Sequence, residues 1–120
     1  MTLTLRLTSL VFLASALSFA ASWFGALVDS ECYASVQRNV SPGHPASHNT
    51  SRTLRVCSPN EKTKSFSVVP HDGEALRLDS DGNEKARELV LKGGKKPYMV
   101  NVTGEMTQDT LKVDTISIKQ

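Results

Sequence analysis

The chain has 120 residues, 39% of them hydrophobic and 22% charged, with a formal net charge of +2. That length admits one domain and hardly two, and the composition excludes wholesale disorder. The near-balance of charge gives no electrostatic case for nucleic acid or an anionic membrane as partner.

Between Arg6 and Asp29 there is no charged residue. Arg6 supplies the positive start of a secretory signal and Leu7 to Leu17 its apolar run. Ser18-Phe19-Ala20 then places small residues where a signal peptidase needs them. Residues 1–20 are therefore read as a signal peptide and residues 21–120 as one exported domain, with cleavage after Ser22 as the second choice. The competing reading is a membrane anchor, since Leu7 to Val28 is long enough to span a bilayer. Ser18, Ser22 and Gly25 dilute its second half, and Trp23 to Val28 reads equally well as a strand. Cys32 follows Asp-Ser-Glu, which is not a lipid-attachment sequence. The expected location is periplasmic or secreted, with no membrane contact after cleavage.

Cys32 and Cys57 are the only thiols. In an oxidising compartment an even pair most often forms one structural disulfide. Closing the loop between them is worth about 3.5 kcal/mol by the chain-entropy argument. A sharper reading adds the two histidines between them. Cys32, His44, His48 and Cys57 have the composition of a zinc set, but not its spacing.

Along the exported part, Trp23 to Asp29 reads as a first strand, with Gly25 marking a bend or bulge. Residues from Glu31 to Arg52 have little periodicity and carry Pro42, Gly43 and Pro45, a loop composition. Thr53 to Cys57 reads as a short extended piece. Ser65 to Val69 and Glu74 to Asp79 alternate around the turn Pro70-His71-Asp72-Gly73, which predicts a hairpin with Phe66, Val68, Leu76 and Leu78 inward. The period then shifts to near 3.6. Asp81 with Glu84 resembles a capping box, Ala86, Leu89 and Val90 share a face, and Gly93-Gly94 stops the helix. Tyr98 to Thr103 is a fourth strand ending at Gly104. From Thr110 to Ile118 the apolar phase flips, Leu111 and Val113 against Ile116 and Ile118, implying a bulge near Asp114-Thr115.

Five strands with a short helix between the third and fourth is the chain order of a mainly β, OB-like barrel. An open α+β sheet is the alternative.

The stretches SWFGALVDSEC, LDSDGNEKA and VNVTGEM…LKVDTISI resemble a family of small exported bacterial proteins of unknown function, common in acidobacteria and similar to the bacterial OB-fold group. Trp23, Gly25, Asp29 and Cys32 match its opening pattern, Gly82 and Asn83 its helix start, and Val102, Thr103 and Gly104 its fourth-strand end. Members often carry additional cysteines near the second one, where this chain has only Cys57. The resemblance implies fold and compartment and carries no activity.

No motif for catalysis stands out. Serines lie outside any Gly-x-Ser-x-Gly elbow, and no phosphate-cradling glycine loop occurs. Asp29 and Glu31 read as a solvated strand end, His71 as a turn residue, and Lys92, Lys95 and Lys96 as a helix-end charge group. Asn49-Thr50-Ser51 and Asn101-Val102-Thr103 match the glycosylation sequon without consequence in a bacterial exporter. The expected function is a non-catalytic exported binding or interaction module, needing no cofactor, for an envelope or extracellular ligand. Its expected ligand face combines the loop region of Asp29, Tyr33, His44 and His48 with the Glu105 to Gln108 turn. A metal-binding or redox protein using the Cys/His loop is the second expectation.

Overall fold

The computed structural model describes residues 20–38, 51–71 and 74–119. Residues 1–19 of the expected signal, His44 and His48, and Asp72-Gly73 of the expected turn lie outside the described residues.

Five strands form a closed barrel: β1 (Ala21–Asp29), β2 (Phe66–Pro70), β3 (Leu76–Leu78), β4 (Met99–Thr107) and β5 (Thr110–Ile118). Their order around the barrel is β1-β2-β3-β5-β4, with β4 returning to β1. Every contact between strands is antiparallel except β3 with β5, which run parallel. This is the mainly β, OB-like barrel read from the sequence, and the open-sheet alternative falls away. The expected helix between the third and fourth strands is present.

Strand β1 serves two partners. Ala21 to Ala26 pair with β4, and Gly25 to Asp29 pair with β2. The register runs through Gly25 without interruption, so the glycine marks a close approach and not a bulge. A Cβ there would stand 2.3 Å from the carbonyl oxygen of Val69, closer than any side chain tolerates.

The bulge falls where the phase flip predicts it. Thr103 pairs with Thr115 and Gly104 with Val113, which leaves Asp114 as the extra residue. With Asp114 looped out, Leu111 and Val113 are buried inside, while Ile116 and Ile118 pack against the same core from the other phase. Gly104 does not end β4 as expected. The strand continues to Thr107, and Gly104 is small because the Lys112 carbonyl crowds the position its Cβ would take.

The helix between β3 and β4 runs from Ser80 to Lys92 (named α3 below). Its N-cap is Asp79, not the Asp81 box expected from the sequence. The Asp79 carboxylate accepts the amide of Gly82 at 2.9 Å, leaving Asp81 exposed in the first turn. Ala86 and Val90 are buried, Leu89 is half-buried, and all three pack with the barrel core of Leu27, Phe66, Val68, Val100 and Leu111. The helix stops at Gly93, which has φ 77°.

Two further helices occupy what the sequence presents as loop: α1 (Ser30–Arg38) and α2 (Ser51–Val56). The extended piece expected over Thr53 to Cys57 is thus helical up to Val56. Asp29 starts α1: its Oδ1 accepts the amides of Glu31 and Cys32 at 3.0 and 3.1 Å. Glu31 in the first turn and Arg38 in the last both complement the helix dipole. Among the described residues, no helix is long and apolar enough to cross a membrane.

Candidate binding groove

The outer face of β1 and β2 is apolar as well as the inner one, because residues alternating with the core positions are Val28 and Val69. On a barrel facing water this would be costly exposure. Instead α1 and α2 lie over it, and Val28, Val69, Tyr33 and Cys57 form a second buried cluster, joined by Cys32, Val36, Leu54 and Ala75.

A disulfide between Cys32 and Cys57 ties the two helices together, with Cα atoms 5.4 Å apart. The backbone adds its own links. Cys57 O accepts the amide of Asp29 at 2.8 Å, and Ser65 O accepts that of Ser30 at 3.0 Å. Asp29 Oδ2 also accepts from the Thr63 hydroxyl at 3.0 Å, and that hydroxyl accepts the Asn60 amide. The whole segment from Asp29 to Thr63 is therefore pinned at its two ends.

Among the described residues the helical layer does not cover the face completely. Where it stops, a groove of about 290 Å³ opens between Leu54 of α2, Phe24 of β1, Met99 of β4, and Val69, Pro70 and His71 at the end of β2. The chain of Gly25 and Ala26 runs between these walls. Phe24 is 44% exposed, and the Lys119 ammonium sits 4.7 Å from its ring centroid. Among the described residues no carboxylate lines the groove, and a cation, Lys119, stands over its Phe24 wall. Its size matches the lower end of small-ligand sites.

The residues expected to form a ligand face are placed as follows. The Asp29 carboxylate is occupied in capping α1 and holding Thr63. Tyr33 is buried beneath α1. Glu105 is exposed on β4, and Gln108, with φ 57°, is exposed in the turn before β5. The described backbone pairing brings no direct contact between Asp29 at the end of β1 and Gln108. His44 and His48 lie outside the described residues. The four-ligand zinc set loses both thiolates to the disulfide, and no metal-holding group of His, Cys, Asp or Glu gathers among the described residues.

The groove residues carry one weak sequence signal. Trp23 and Phe24 are adjacent in a strand, so they point to opposite faces and one aromatic must lie outside the barrel. Trp23 packs against the core, and Phe24 is the one outside.

These features define a small closed OB-like barrel with a disulfide-tied helical layer and an apolar groove beside it. No family model, no curated protein and no solved structure matches the chain.

Proposed function

We propose that the protein is an exported, non-catalytic binding module that takes an apolar group carrying negative charge into the groove beside Phe24. The observation that carries this reading is an apolar cleft with an exposed aromatic wall beneath a lysine ammonium and no carboxylate among its described lining residues. Apolar walls supply most of the affinity of such sites, and a few charges orient the ligand. Export is supported by the signal pattern of residues 1–20 and by a disulfide of the kind that persists outside the cytoplasm. Strand β1 begins at Ala21, the residue after the expected cleavage point, and Ala21 already pairs with Gly104. Periplasmic or secreted location, and kinship with the small exported bacterial proteins it resembles, belong to the same proposal. A metal or redox role for the Cys/His loop is less favoured, because both sulfurs are joined.

The test is an amide NMR titration with 4-phenylbutyrate, an apolar anion of suitable size. Saturable shifts at Phe24 to Ala26 and at Val69 and His71 are expected. The uncharged 4-phenylbutanol should bind about two- to fivefold more weakly, and Lys119→Ala should remove that difference. Shifts that are scattered or do not saturate would overturn the reading.

A further inference from the structure

The net charge of +2 averages over an uneven distribution. Residues 32–57, the segment that the disulfide closes, hold Arg38, Arg52, Arg55 and two histidines, and no aspartate or glutamate. The rest of residues 21–120 carries twelve acidic side chains against ten basic ones. The tied segment is therefore cationic and the remainder slightly anionic. Balance over the whole chain does not exclude an anionic surface as partner.

The fold turns these charges outward. In α2, Arg52 stands three and four residues before Arg55 and Val56, so the three share one side of the helix. Leu54 turns to the other side, where it lines the groove. Both arginines are exposed, as is Arg38 at the end of α1, and Val56 is 66% exposed. Among the described residues no ion pair or hydrogen bond occupies the three guanidinium groups. Across the groove from Leu54 comes Phe24, itself exposed beneath the Lys119 ammonium. Val56 and Phe24 thus stand among cations, on the helix and the strand that flank one apolar cleft. Such a face complements a bilayer with anionic headgroups: cations meet phosphate, and apolar groups enter the acyl boundary. Arginine suits the task, because its guanidinium pairs with phosphate through two parallel bonds. Taking the binding role above as its basis, we infer that the protein docks on an anionic lipid surface through α2 and the rim of the groove. A lipid of that surface supplies the apolar anion that the groove takes.

The experiment is co-sedimentation of the exported form, disulfide intact, with two kinds of vesicle: phosphatidylcholine alone, and phosphatidylcholine mixed equally with phosphatidylglycerol. Binding to the anionic vesicles only, weakening as salt is raised, is expected. Each cation at such a surface strengthens partitioning about fivefold, so Arg52→Gln with Arg55→Gln should weaken it about twentyfold. Arg52→Lys with Arg55→Lys should keep most of it. Val56→Ser should weaken it about fourfold, the equivalent of one methyl group withdrawn from the bilayer. These side chains are exposed, so urea midpoints of the variants should move no more than for ordinary surface changes. Dihexanoylphosphatidylglycerol, kept below its micelle concentration, should displace 4-phenylbutyrate from Phe24 and Val69. Equal binding to both vesicles, no loss in the glutamine variant, or no displacement overturns the inference, while the groove reading stands on 4-phenylbutyrate. Retention on polygalacturonate without vesicle binding overturns it in favour of an acidic polysaccharide. Failure of 4-phenylbutyrate itself to bind sinks the underlying binding reading.

Discussion

The carboxylate of Asp79 that caps α3 also accepts the amide of Val113, 3.2 Å away in β5, with the same Oδ1 that holds Gly82. One side chain thus joins the helix start to the strand that closes the barrel. The Asp79 backbone reinforces the junction, because its amide donates to Leu111 O at 3.0 Å. Asn83 adds a third tie, its Oδ1 accepting the amide of Phe66 at the start of β2.

Asp79→Ala should therefore cost more than an ordinary cap, about 2–3 kcal/mol, from the lost cap and a buried amide left without its charged acceptor. Urea unfolding with an unchanged m value is the measurement. Asp81→Ala, in the box that looks right by sequence, should change stability by less than about 0.5 kcal/mol.

Gly25→Ala forces a methyl group to within 2.3 Å of a backbone oxygen that is itself held in the β1–β2 ladder. Relief requires moving one of the two strands. A loss of about 3 kcal/mol is expected, at the upper end for overpacking. Amide exchange should rise from Gly25 to Asp29 more than along β4. Uniform exchange across the barrel would contradict the two-partner account of β1.

Replacing Cys32 and Cys57 together by serine should lower stability by about 3.5 kcal/mol. The loss should fall on the outer cluster of Val28, Tyr33 and Val69, with the barrel core of Val68 and Val100 remaining native by NMR. Affinity for 4-phenylbutyrate should drop with it, because Leu54 reaches the groove only while α2 is held down. Intact-mass measurement of the unreduced wild type should show the loss of two hydrogens.

Deleting Asp114 removes the bulge but keeps Gly104 with Val113 and Thr103 with Thr115, so Ile116 and Ile118 fall into the same alternation as Leu111 and Val113. Both isoleucines should therefore stay on the core, and urea unfolding should show a loss of only about 1 kcal/mol, from the local twist that the bulge gives β5. Asp114→Ala keeps the extra residue and should be nearly neutral, since the bond seen there is from Lys85 Nζ to the backbone oxygen of Asp114.

The barrel was legible because strands that bury one face alternate with period two. The flip between Val113 and Ile116 could be read for the same reason, since a pleated strand cannot keep both pairs inside without an extra residue. The first two helices were hidden. Each is short, α1 presents only Tyr33 and Val36 at helical spacing, and the apolar face both cover belongs to β1 and β2. The signal that was available is Asp29 as an N-cap with Glu31 in the first turn, and its role as a strand terminus obscured it. The cap of α3 was misplaced by two residues because Asp79 and Asp81 are alike in composition and differ only in what β5 offers them. The groove was illegible for a stronger reason. It arises where a covering layer ends, and no local pattern records the place at which Leu54, Phe24 and Met99 converge.

The bond between Cys32 and Cys57 closes a covalent circle that is held to the barrel at its closure and, through Tyr33, Val36 and Leu54, along its two helices. A protease cut anywhere within that circle leaves one molecule, held by sulfur, with both helices still attached to β1 and β2. Lengthening or shortening the circle changes its closure entropy only logarithmically, so a change of length between α1 and α2 should cost the barrel little.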